Sequence, residues 1–130
     1  MAELLEAARD ARSSAIAPYS DFPVGGALRT TDGTVYTGCN IEIVNFSNSL
    51  HAEEVALARA LVEGEREFDA VAVAGPHADG LTPCGMCRQS LAEFCPPEFD
   101  VIVDVDGDPH GYTLAELLPA GMMSDALSDT

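Results

Sequence analysis

The chain contains no lysine. Its six cations are all arginine, and they face 22 aspartates and glutamates, for a formal net charge of −16 over 130 residues. Arg9, Arg12, Arg29, Arg59, Arg66 and Arg88 are scattered, so no basic groove is legible. Such a surface repels polyanions, which excludes a long nucleic acid as the expected partner. No stretch approaches the ~20 consecutive apolar residues of a membrane-spanning helix. No basic patch precedes the first apolar residues, where Glu3, Glu6 and Asp10 stand instead. A signal peptide is therefore not expected, and the expected location is cytoplasmic. Internal repeats and low-complexity segments are also missing. The acid excess has two readings, simple solubility and adaptation to high salt, where screening relieves self-repulsion.

What is present is 47% apolar composition, enough for one domain with a single core. Four cysteines, Cys39, Cys84, Cys87 and Cys95, occur in a chain without an export signal. Disulfides are not expected there, and the Cys84-x-x-Cys87 pair reads as metal or redox chemistry. The apolar pattern predicts an amphipathic helix over residues 3–16, ended before Pro18. Strands are predicted from Val24 to Thr30 and from Thr34 to Gly38, around the turn Thr31-Asp32-Gly33. A helix runs from His51 to Val62 and a strand from Asp69 to Ala74. A second helix spans Cys84 to Cys95 and is stopped by Pro96-Pro97. Asp100 to Asp104 is a strand, Gly107 to Gly111 a turn, and a short strand near Tyr112 leads into a helix from Leu114 to Leu118. Helices alternating with strands predict an α/β fold, a mixed five-stranded sheet covered on both faces in three α/β/α layers.

The chemistry concentrates at two helix starts. His51, Val55, Ala58 and Val62 recur at helical spacing, which puts the histidine on the apolar, inward face. Cys84, Cys87, Leu91, Phe94 and Cys95 form a similar stripe, with Cys95 read as core. A helix N-terminus carries partial positive charge and free N–H groups, which favour the metal-binding thiolate. One imidazole and two thiolates suit zinc, and three protein ligands leave a fourth position for water. Glu53, two residues after His51, can stand beside the metal without ligating it and move protons. Singly, each residue has a plainer explanation: a satisfied core histidine, a helix-dipole glutamate, a thioredoxin-like cysteine pair. Together they spell His-x-Glu followed by Pro-Cys-x-x-Cys, the signature of zinc nucleobase deaminases.

On these motifs the chain resembles the small, homotetrameric cytidine deaminases of pyrimidine salvage. The resemblance runs from Pro18-Tyr19-Ser20-Asp21-Phe22-Pro23-Val24-Gly25 through Gly38-Cys39-Asn40-Ile41-Glu42, His51-Ala52-Glu53 and Pro83-Cys84-Gly85-Met86-Cys87-Arg88-Gln89 to Leu117-Leu118-Pro119. It implies a single deaminase-like domain over residues 1–130, one zinc ion per chain and a homotetramer. It further implies that Asn40 and Glu42 bind the ribose, that Phe22 walls the pyrimidine, and that the Ala52 N–H meets the base carbonyl. The Pro83 and Cys84 backbone would lie where ammonia leaves. Several positions depart from the family pattern. His51 replaces a third cysteine, and Glu54 stands where an arginine commonly follows the catalytic glutamate. A neutral histidine makes the metal shell less negative, so a compensating arginine is less needed. Larger dimeric members use histidine, but this chain is too short for their duplicated architecture. Ile43 replaces an asparagine and Phe46 a tyrosine. Met122 is the nearest counterpart of a phenylalanine that reaches a neighbouring subunit's site.

The implied reaction is hydrolytic deamination of cytidine or deoxycytidine, in which water adds at carbon 4 while Glu53 protonates ring nitrogen 3. The acidic chain favours a free nucleoside. Three alternatives share these residues: a deaminase of a cytosine-bearing antibiotic of the blasticidin S type, a structural zinc module with Cys39 as fourth ligand, and a redox protein.

Overall fold

A computed structural model describes residues 1–122. Ten elements follow in the order α1 (Ala2–Arg12), β1 (Gly25–Thr30), β2 (Val35–Cys39), a 3-10 turn (Phe46–Asn48), α2 (Ala52–Val62), β3 (Phe68–Ala74), α3 (Gly85–Phe94), β4 (Asp100–Val105), β5 (Asp108–Thr113) and α4 (Leu114–Leu117). The five strands form one mixed sheet in the order β2-β1-β3-β4-β5, parallel between β3 and β4 and antiparallel elsewhere.

Strand alternation divides the core into two unlike halves. One face of the sheet presents Ala27, Ala70, Ala72, Ala74 and Ile102, and α1 covers it with Leu4, Leu5 and Ala8. These side chains are small, so α1 lies close. The other face presents Leu28, Val71 and Val101, which pack with Ala56, Leu57, Leu91, Phe99 and Leu114 from α2, α3, α4 and the segment before β4. Gly25 and Gly26 mark the change of side. A side chain at Gly25 would strike the Ala8 carbonyl and the Arg12 N–H of α1, whereas one at Gly26 would touch the Ala52 carbonyl of α2 at 3.3 Å.

Register places one end of the sheet at the site. Gly25 pairs with both Cys39 and Ala74. The start of β1 and the ends of β2 and β3 therefore open onto the same rim. After β2 the chain doubles back, because Ile41 and Leu50 exchange two backbone hydrogen bonds of 2.9 Å. That return delivers His51 to the rim.

The structure departs from the sequence expectations in four places. Helix α1 ends at Arg12 rather than residue 16, and the Ile16 N–H donates instead to the Asn40 carbonyl at 3.0 Å. The turn before β5 is Asp106-Gly107, both with positive φ (53° and 92°), so residues 108–113 are strand and not turn. This is a two-residue hairpin of the kind that Asp-Gly favours. His51 and Cys84 are the N-caps of α2 and α3, just outside the helical turns. Finally, the buried stripe of α2 is Ala52, Glu53, Ala56, Leu57 and Ala60, and Val62 is 84% exposed. Close seating against Gly26 and Gly38 selects the alanine side of this helix, which the larger valines would hold away from the sheet.

Candidate active site

His51, Cys84 and Cys87 converge although 33 residues separate the first from the second. His51 Nδ1 lies 3.2 Å from Cys84 Sγ and 3.3 Å from Cys87 Sγ. All three candidate ligand atoms fall within 4.8 Å of one another, and Cys39, at the end of β2, is not in that group. Cys87 is buried, His51 half-buried and Cys84 exposed, so the cluster opens to one side. One imidazole nitrogen and two sulfurs at this separation are a zinc-type donor set with room for a fourth ligand.

Two buried acids stand at the cluster. Glu53 is 5% exposed, and burial raises its carboxyl above the ordinary range. Burial likewise pushes the Cys87 thiol up, with the Glu53 charge adding to it. The helix N-terminus was expected to lower this thiol; desolvation outweighs it. Burial disfavours ionisation of both groups, and a divalent cation among the three ligand atoms reverses that preference. The donors therefore fit zinc in charge as well as in type. Cys95 is different: it is buried core, its thiol pushed up to about 12 by desolvation alone.

Glu54 has a local function that the family comparison obscured. Its carboxylate accepts the His51 N–H at 3.0 Å, three residues back across the start of α2. This is half of a capping box, legible in the spacing His51-x-x-Glu54. The bond fixes the backbone of the candidate ligand.

A cavity of about 400 Å³ adjoins the cluster, within the usual size of small-molecule sites. His51, Ala52, Glu53 and Cys84 line one side, and Phe22, Asn40 and Glu42 line another. Pro83, just before Cys84, is buried and does not line the cavity. The cavity also takes Val73 from β3, Ser49 and Leu50 from the segment before α2, and Leu81 and Thr82 from the loop after β3. Those five were not anticipated. For four of them the only sequence signal is adjacency, Ser49-Leu50 preceding His51 and Leu81-Thr82 preceding Pro83, and Val73 on β3 carries none.

Asn40 and Glu42 hold the front loop in place. Asn40 Oδ1 accepts the Val24 N–H at 2.8 Å, while its Nδ2 donates to the Phe22 carbonyl at 2.9 Å. Glu42 Oε1 accepts the Tyr19 and Ser20 N–H groups at 3.0 and 3.1 Å. The Ser20 hydroxyl and these amides keep the Glu42 carboxyl below its ordinary range. Phe22 meets His77 edge-on at 6.3 Å between centroids. Met122 lies 61% exposed, outside this cavity, its carbonyl accepting Gln89 Nε2 at 2.5 Å.

Comparison with known proteins gives the class. The sequence model described as "Cytidine and deoxycytidylate deaminase zinc-binding region" matches residues 1–103. The cytidine deaminase of Sporosarcina psychrophila is 42% identical over 127 residues, 97% of this chain and 93% of its own. A crystal structure of cytidine deaminase from Burkholderia pseudomallei superposes with a TM-score of 0.88 at 42% identity, covering 92% of this chain and 97% of that one. A blasticidin-S deaminase of Bacillus cereus is more distant, 33% identical over 104 residues, 74% of each chain. This chain belongs to the zinc-binding cytidine and deoxycytidylate deaminase family. Within that family, the similarity to proteins named cytidine deaminase extends along nearly its whole length.

Proposed function

We propose that this chain is a zinc-dependent cytidine deaminase, converting cytidine or deoxycytidine to uridine or deoxyuridine plus ammonia. The observation that carries the reading is the shared cavity: the candidate metal ligands His51 and Cys84, the buried Glu53 and the polar side chains of Asn40 and Glu42 line one space of about 400 Å³. His51, Cys84 and Cys87 would hold one zinc ion, which supplies the Lewis acidity that makes water a usable nucleophile near neutral pH. Glu53 takes the proton of the attacking water as oxygen bonds to carbon 4. It delivers that proton to ring nitrogen 3, and then assists protonation of the amine as the carbon–nitrogen bond breaks. Its burial supports this, since a carboxyl with a raised pKa can hold a proton between steps.

Phe22 walls the pyrimidine. Ala52 opens α2, so its N–H has no partner within the helix and is available to the base carbonyl. Asn40 and Glu42 meet the sugar hydroxyls, with the second Glu42 oxygen outside the Tyr19 and Ser20 bonds. The Pro83 and Cys84 backbone borders the path of the leaving ammonia. Neither lysine nor arginine lines the cavity, which favours a neutral nucleoside over a nucleotide.

The reading treats residues 1–130 as one deaminase-like domain, supported by the long matches to relatives. It extends to a homotetramer, supported by an apolar rim in which Ile43, Val44, Phe46 and Leu50 are exposed. It extends also to a cytoplasmic site of action, where thiolate ligands remain reduced, and to tolerance of high salt, supported by the charge of −16.

Ultraviolet detection of cytidine loss tests the core of this proposal. Glu53→Ala should lower kcat by roughly 10²–10⁴ with zinc content unchanged. Full zinc together with full activity in that variant would overturn the proton-transfer role.

A further inference from the structure

Arg88 follows Cys87 on α3, and among the described residues it makes no ion pair, although carboxylates outnumber cations 22 to 6. Its guanidinium is directed at three neutral oxygens, two on the adjacent residues Thr82 and Pro83 and one on the distant Leu117. Nε donates to the Pro83 carbonyl at 2.7 Å. One Nη donates to Thr82 Oγ1 at 2.8 Å and the other to the Leu117 carbonyl, at the end of α4, also at 2.8 Å. The Arg88 backbone N–H donates to the Cys84 carbonyl at 2.9 Å. Arg88 thus holds the carbonyls of the two peptides that flank the Cys84 α-carbon.

The two candidate thiol ligands need this help unequally. Cys87 is buried within α3, where the helix itself sets its direction. Cys84 is an exposed N-cap in extended conformation (φ −67°, ψ 167°), at the end of the long loop that follows β3. Its backbone is anchored by one helical hydrogen bond, and what precedes it is anchored by the Arg88 side chain. A planar guanidinium reaches all three acceptors at fixed angles, which a lysine ammonium cannot reproduce.

We propose that Arg88 is a positioning residue. It sets Cys84 for metal binding and orients Thr82 in the cavity wall, tying both to the end of α4. This rests on the zinc-deaminase reading above. Groups that orient metal ligands typically cost 10–100-fold in metal affinity when removed.

The test compares wild type, Arg88→Gln, Arg88→Lys and Thr82→Val. Chelator competition gives the zinc dissociation constant, cobalt(II) substitution gives a ligand-field spectrum, and the zinc-free chain is melted separately. Arg88→Gln and Arg88→Lys should weaken zinc by about 10–100-fold and alter the cobalt spectrum, with the zinc-free melting temperature close to wild type. Thr82→Val should raise KM for cytidine and leave zinc affinity within about twofold, because it removes one of the three side-chain acceptors and neither Cys84 anchor. Wild-type zinc affinity and cobalt spectrum in the Arg88 variants would overturn the proposal. So would the failure of both variants to fold without zinc, which would make Arg88 a purely structural link. A wild-type chain that bound no zinc, or left cytidine intact, would instead remove the reading beneath it.

Discussion

Gly38 should be as sensitive as any residue that touches substrate, although it lies behind the site. It faces the first turns of α2, and the helix backbone occupies the space a side chain would need. A Cβ built there overlaps the Ala52 carbonyl, lies 2.5 Å from the Ala56 nitrogen and 3.0 Å from the Val55 Cβ. Ordinary contact begins near 3.4 Å, so clearing the Ala52 carbonyl requires the start of α2 to retreat by roughly 1.1 Å. Overpacking of this kind costs about 1–3 kcal/mol. At this chain length that lowers the melting temperature by roughly 4–15 °C. The larger effect is on chemistry, because the retreating turn carries His51, Ala52 and Glu53. A displacement near 1 Å costs about 10²-fold in rate, so Gly38→Ala should lower kcat/KM by about that factor. Two other glycines separate stability from position. Gly26→Ala meets the Ala52 backbone at 3.3 Å and should show a smaller loss of both. Gly33→Ala has open space but a φ of +95°, so it should lose about 1 kcal/mol and no activity. The assay pairs thermal melting with initial rates of cytidine loss. A Gly38→Ala chain that melts lower yet keeps wild-type kcat/KM would refute the idea that the seat of α2 sets the catalytic geometry.

Asn40→Ala deprives the Val24 N–H of its acceptor and the Phe22 carbonyl of its donor, and should cost about 1–3 kcal/mol while raising KM; melting and Michaelis plots check both. Glu42 ionises more readily in the folded chain, so its contribution is present above the ordinary glutamate range and is lost as pH falls through its lowered folded-state value. The difference in melting temperature between wild type and Glu42→Gln should accordingly shrink on acidification, and a constant difference from pH 7 down to 3 would contradict it. Chelation should lower the melting temperature, since zinc at 100 times its dissociation constant adds about 2.7 kcal/mol; equal melting with and without chelator would remove the metal from the fold's stability. Potassium chloride should raise the transition by screening a net charge of −16, because the Debye length falls from ~10 Å at 0.1 M to ~3 Å at 1 M.

Residue order alone determined the class of chemistry. Ligand type is a property of side chains, and imidazole, thiols and carboxyl at His51, Glu53, Cys84 and Cys87 needed no coordinates to suggest zinc and proton transfer. The order of helices and strands, and hence a mixed sheet between helical layers, was legible for a similar reason: apolar periodicity records which surfaces are buried. Tertiary structure decided what periodicity cannot encode. The buried face of α2 went to its alanines because Gly26 and Gly38, on other strands, admit only a close helix. The Cys87 thiol was raised, not lowered, because burial depends on everything packed around it. The partners of Asn40 and Arg88 at Val24 and Pro83 came only with the fold, since they lie on segments that no local spacing links to them. A sequence names the groups that react; the distances between groups far apart in the chain exist only once it is folded.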